Sequence, residues 1–124
     1  MSSDVTSSSV RGHVVLRFTG ELDVAAREVF RAARELLDRS CGQRRVLDLT
    51  EVSFLDCAGV HELDSLVRDV SPEPVVVCPP GRPRRVLELT GLCGVHTVVP
   101  TLLHATSPRF RVPPQDRRAP GQTG

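Results

Sequence analysis

VLDLTEVSFLDCAGVHEL, residues 46–63, joins a strand to the start of a helix, and the rest of the chain is arranged around that junction. Val46 to Leu49 is an apolar run broken only by Asp48, the mark of a buried strand. A short turn follows, and Asp56-Cys57-Ala58-Gly59 opens a helix predicted to run from about Cys57 to Asp69. Val60, Leu63, Val67 and Val70 supply its core stripe, and His61, Glu62, Asp64, Ser65 and Arg68 fill the other positions. A strand that runs into a helix N-terminus leaves free N–H groups and the positive end of the helix dipole at one corner. The side chain presented there is the thiol of Cys57, with Asp56 beside it.

Working toward the N-terminus, Val24 to Arg39 reads as an amphipathic helix, with Ala26, Val29, Phe30, Ala33 and Leu37 at three- and four-residue spacings. Asp23 is placed to cap it, and Gly42 to end it. His13 to Thr19, HVVLRFT, has the β-branched and aromatic content of a strand, closed by Gly20-Glu21-Leu22-Asp23. Residues 1–9 are Ser-rich with little to bury, and are expected to form a flexible leader with at most a short edge strand near Ser9 to Arg11.

Toward the C-terminus, Ser71-Pro72-Glu73-Pro74 breaks the second helix, and Pro74 to Cys78 is a continuous apolar run typical of an interior parallel strand. A short helix is predicted over Arg84 to Thr90, ended by Gly91, then a last strand over His96 to Pro100 and a helical turn from Thr101 to Ala105. Residues 106–124 carry Pro108, Pro113, Pro114 and Pro120 among four arginines and read as a disordered tail. Strands and helices therefore alternate through residues 10–105, which predicts one α/β domain on a mostly parallel sheet.

Composition removes several function classes. All sixteen basic residues are Arg, yet the net charge is only +1, so no overall field steers the chain to nucleic acid. Trp and Tyr are absent, which leaves few platforms for stacking bases. No apolar run is long enough to span a membrane, and the N-terminus lacks the pattern of a secretory signal, so a cytoplasmic location is expected. In that compartment Cys41, Cys57, Cys78 and Cys93 are expected as free thiols. Their spacings of 16, 21 and 15 residues make no metal pattern with the four histidines, so no metal or other cofactor is expected. No nucleophile–base pair is apparent either, and the protein is not expected to be an enzyme.

Three short motifs carry a family resemblance: Gly20-Glu21-Leu22-Asp23, then Asp48-Leu49-Thr50 with Phe54 and Asp56-Cys57-Ala58-Gly59, then Leu87-Glu88-Leu89-Thr90-Gly91-Leu92. Together they resemble the STAS domain of bacterial anti-sigma-factor antagonists over residues 10–105. The resemblance implies a four- to five-stranded, mostly parallel sheet with three to four helices packed mainly on one face. It also implies a non-enzymatic module that docks an anti-sigma factor of the Ser kinase type and so regulates sigma-factor-dependent transcription. The family's phosphorylated serine falls at Cys57, and a thiol is not a substrate for that kinase. The implied partner surface comprises Glu21, Asp23, Asp56, Cys57, Ala58, Gly59, His61 and Asp64.

Two readings of Cys57 follow. In the first, the protein docks its partner without being switched off at this position, and Cys57 fills a serine-sized slot. In the second, Cys57 is a redox-sensing thiol at a helix N-terminus, with Cys78, at the end of the next strand, able to resolve its oxidised form. Asp56 opposes the second reading, since an adjacent negative charge disfavours a thiolate.

Overall fold

The computed structural model describes residues 3–112. Five strands, β1 (Asp4–Val10), β2 (His13–Leu22), β3 (Arg45–Leu55), β4 (Val75–Val77) and β5 (Val98–Val99), lie in one sheet in chain order. β1 is antiparallel to β2, and the other neighbours are parallel. A 3₁₀ turn (Val24–Ala26) leads into α1 (Arg27–Arg39), and α2 (Cys57–Arg68) follows β3. The α3 (Arg82–Leu89), α4 (Leu92–Val95) and α5 (Leu102–Thr106) helices complete the domain.

The two faces of the sheet are covered unequally, as strand alternation requires. Leu16 and Phe18 of β2, Leu47 and Leu49 of β3 and Val76 of β4 point to one side. There they meet Phe30, Ala33 and Leu37 of α1, Leu63, Leu66 and Val67 of α2, Leu87 of α3 and Leu92 of α4 in the main core. Val15, Val46, Val75, Val77 and Val99 point to the other side, where, among the described residues, Ala105 and Leu102 of α5, Val10 and Phe110 pack on them. Asp48 belongs to this second side with Arg17. It is buried, and its carboxylate accepts hydrogen bonds from Arg17 Nε at 3.4 Å, from the Thr50 N–H at 3.0 Å and from the Thr50 hydroxyl.

Residues 4–9, expected within a flexible leader with at most a short edge strand near Ser9 to Arg11, instead form with Val10 the full edge strand β1, paired with β2 from Asp4↔Thr19 to Val10↔His13. The chain reverses through Arg11 and Gly12 with φ of +51° and +80°, the pair of positive angles that a two-residue hairpin turn demands. β1 hides little apolar surface, chiefly Val5, so it carries almost no hydrophobic pattern to read.

β3 is also longer than expected. The turn predicted after Leu49 is a continuation of the strand to Leu55. The pairing with β2 shifts register between Arg17 and Thr19 and again between Gly20 and Glu21, and each irregularity rotates the strand. The buried side chains therefore step by two from Leu47 to Leu49, then by three to Val52 and to Leu55. A search for strict alternation fails there because the strand itself does not alternate.

Beyond β5, α5 ends at Thr106, and the half-buried Phe110 packs on the second-side cluster, so the fold passes the expected boundary at residue 105. The rest of the expected tail, residues 113–124, lies outside the described residues. No helix among the described residues is long and apolar enough to cross a membrane.

Candidate functional site

Asp56 caps α2. Its backbone is extended, and its Oδ1 accepts the N–H of Gly59 at 2.9 Å while its carbonyl accepts the N–H of Val60 at 2.9 Å. Capping sets the direction of the first turn and leaves Cys57 and Ala58 exposed. Gly59, expected on the partner surface, is buried against the end of β2. A methyl group on it would stand 3.0 Å from the carbonyl carbon of Leu22 and 2.8 Å from Leu55 Cδ1, and closer still to the Leu22 oxygen. That oxygen also accepts the N–H of Asp56 at 3.4 Å. Gly59 is thus the residue that lets the helix start lie directly on the β2 backbone.

The register places the Gly20-Glu21-Leu22-Asp23 segment beside this start, with Glu21 opposite Phe54 and Leu22 opposite Leu55. Asp23 caps the 3₁₀ turn through its Oδ1, which accepts the Ala25 N–H at 2.9 Å. Phe54 and Val24, 47% and 69% exposed, stand at the same end of the sheet. Sequence reasoning had no means of finding Val24, since nothing local distinguishes an apolar side chain left uncovered from one that packs.

On the other side of Cys57, α2 and α4 enclose a groove of about 280 Å³. Cys57, Val60, His61, Asp64 and Arg68 form one wall, and Leu92 and Val95 the other. The structure therefore joins Cys57, His61 and Asp64 on one surface, with Glu21, Asp23 and Asp56 at its β2 end. The short α4 helix was not predicted. It starts at Gly91, whose φ of +83° reverses the chain, and four residues are too few for a helical period to show.

Asp64 is held from beneath by a residue the sequence did not single out as functional. His96 is buried, its Nε2 lies 2.6 Å from Asp64 Oδ1 and its Nδ1 lies 2.8 Å from Glu73 Oε1. An ionised carboxylate only accepts, so both bonds form together when both ring nitrogens carry protons. Arg68 Nε donates to the other oxygen of Asp64 at 2.9 Å. Burial works to raise the Asp64 pKa, but the hydrogen bonds from His96 and Arg68 outweigh it and hold the carboxyl below its ordinary value. This cluster ties α2, the loop before β4 and the end of α4 together, and so fixes both walls of the groove.

The cysteines divide by environment. Cys57 and Cys41 are exposed. Cys78 is buried, and burial pushes its thiol up to about 11, against the opposing effect of Arg84. Burial likewise raises the half-buried Cys93 thiol. Cys78 does not share the sheet end with Cys57, as had been expected. Val77 pairs with Asp48, so Cys78 is level with Leu49, and β3 runs six residues beyond that level, roughly 20 Å along a strand. Among the described residues, no group of three or more His, Cys, Asp and Glu side chains is placed to hold a metal ion.

The family model described as "STAS domain" matches residues 5–105, which takes in all of the sheet but Asp4 and the whole of this corner. The chain belongs to the STAS domain family. Solved structures that share its fold include the following three. An anti-sigma factor antagonist from Mycobacterium paratuberculosis superposes with a TM-score of 0.76 at 27% identity, over 84% of this chain and 91% of that one. The anti-sigma factor antagonist SpoIIAA in its unphosphorylated form gives 0.53 at 22% identity, over 78% and 88% of the two chains. A DUF3478-family protein of SpoIIAA-like fold from Shewanella loihica PV-4 gives 0.52 at 10% identity, over 81% and 85%. The last two show the fold alone. No curated protein sequence matches the chain. This STAS domain keeps the single α/β domain that its motifs implied, with a five-stranded sheet and most of its helices on one face.

Proposed function

We propose that this STAS domain is an anti-sigma-factor antagonist that docks a kinase-type anti-sigma factor through the corner built around Cys57. The observation that carries the reading is the exposed side chain of Cys57 on the first turn of α2, between the Phe54 edge and the α2–α4 groove. Exposed apolar side chains beside a few fixed polar groups are what a protein partner buries. The likeness to the mycobacterial anti-sigma factor antagonist supports an anti-sigma factor as the partner, and a cytoplasmic location goes with that reading.

In this reading Cys57 occupies the family's phosphoserine position. A phosphate there would add nearly two negative charges inside the contact and weaken it. A thiol keeps the size of the serine and takes no phosphate from the partner, so the complex persists in ATP. Ser53 is exposed, but its hydroxyl donates to the Gly20 carbonyl at 3.3 Å, and Thr50 donates to Asp48, so neither is displayed as Cys57 is.

Binding of the wild-type protein and of Cys57→Ser to the anti-sigma kinases of the same genome, with and without ATP, tests this. The wild type is expected to bind and stay bound, and the serine variant to be phosphorylated and released. Failure of both proteins to bind any such kinase overturns the partner. Phosphorylation of the wild type, at any residue, with release overturns the unswitched state.

A further inference from the structure

A second cavity, more enclosed than the groove, lies at the opposite end of the sheet, where β2, β3 and β4 begin. Its volume is about 260 Å³. Its floor is apolar, made by Val46, Val75, Ala105 and Phe110, while Arg44, Arg45 and Arg111 bring three cations to it. Arg45 is the unusual one. It is 4% exposed, its two terminal nitrogens donate to the carbonyls of Leu37 at 2.9 Å and Pro72 at 3.2 Å, and its Nε has no partner. Leu37 lies in the last turn of α1, whose dipole offsets about half a unit of charge. No described carboxylate makes a salt bridge with Arg45, and Glu73, the one acid among the described residues that line the cavity, is bonded to His96. Among the described residues, Arg111 bonds the carbonyls of Pro108 and Phe110. A buried cation with no counter-ion among the described residues is costly, and an anion in this cavity would relieve the cost.

We propose that this cavity binds a small organic carboxylate, its head group at the arginines and its short apolar body against Val46, Val75 and Phe110. The polar and apolar walls together call for such an amphipathic anion, since a bare inorganic ion would leave the apolar floor unused and a neutral hydrocarbon would leave the arginines uncompensated. The volume is a little under the ~300 Å³ at which pockets for drug-sized ligands begin, so the occupant is small. The site is independent of partner docking, which is assigned to the other end of the sheet.

Octanoate is the probe, titrated into the full-length protein and followed by calorimetry and by amide chemical shifts. Octan-1-ol, acetate and inorganic phosphate are the controls. Because Arg45→Gln removes a buried structural contact, the test variant is Arg44→Gln/Arg111→Gln, which alters exposed side chains. The expected result is saturable one-to-one binding of octanoate, at least tenfold tighter than any control, with shifts centred on His13, Val46 and Val75. The double variant is expected to bind at least tenfold more weakly while melting at the wild-type temperature. Absence of saturable binding, equal binding of octan-1-ol or phosphate, shifts centred on Cys57, or wild-type affinity in the double variant would each overturn the proposal.

Discussion

Gly59→Ala is the substitution on which the geometry of the docking corner turns. In an exposed helix the change is favourable by about 1 kcal/mol, because alanine loses less backbone entropy. Here the added methyl meets the Leu22 backbone and Leu55 Cδ1 at 3.0 and 2.8 Å, and the Leu22 oxygen more closely still. Ordinary contact needs about 3.5 Å, so the first turn of α2 must retreat by roughly 1 Å. The obstacle is a strand carbonyl, which cannot rotate away as a side chain can. Overpacking of this kind costs up to about 3 kcal/mol, which leaves a net loss of about 2 kcal/mol after the helix gain. For a domain of this size that lowers the melting temperature by about 10 °C. Gly94→Ala in α4 is the control, since a methyl there has no neighbour within 4 Å. Thermal unfolding followed by circular dichroism reads both variants. If Gly59→Ala melts at or above the wild-type temperature, the direct seating of α2 on β2 is refuted, and with it the account of how Cys57 is aimed.

Two further outcomes are expected. The Asp64 carboxyl is held below its ordinary value of 3.8, so its contribution to stability is complete above about pH 4 and is lost as the pH falls through its folded value. Urea unfolding of wild type and Asp64→Asn at pH 5 and pH 3 should show a gap that narrows at pH 3; a gap that is constant or widens between those two values contradicts the Asp64–His96–Arg68 cluster. Alkylation by iodoacetamide at pH 7.5, mapped by mass spectrometry, should label Cys57 and Cys41 and spare Cys78. Raising a thiol from 9.0 to about 11 alone cuts its thiolate population about a hundredfold, so comparable labelling of Cys78 in the folded protein would contradict its burial.

The parts of the fold that could be read in advance are those whose pattern is local. Asp56-Cys57-Ala58-Gly59 reads as the opening of a helix from about Cys57, where α2 begins, and Asp23 as the cap of a helix from Val24, where the chain makes a 3₁₀ turn before α1 starts at Arg27, because a cap is a bond between a side chain and N–H groups two or three residues away. The run Pro74 to Cys78 contained β4 for the same reason: a strand covered on both faces is apolar at every position. Features that depend on a distant partner were not legible. β1 exists because β2 offers it a hydrogen-bonding edge, and its own sequence buries little. The second half of β3 follows two register shifts against β2, which no reading of β3 alone contains.

The same division runs through the site. Sequence alone determined that a thiol stands on the first turn of a helix fed by a strand, with an acid beside it, because those residues are neighbours in the chain. Only the tertiary structure decided what surrounds that thiol. It turned Gly59 inward against Leu22, set Val95 across a groove from His61, and brought His96 from 32 residues away to fasten Asp64. It also separated Cys78 from Cys57 and left Arg45 buried beside a cavity at the far end of the sheet. Register and helix packing set these relations, and both are properties of how elements meet, which no single element encodes.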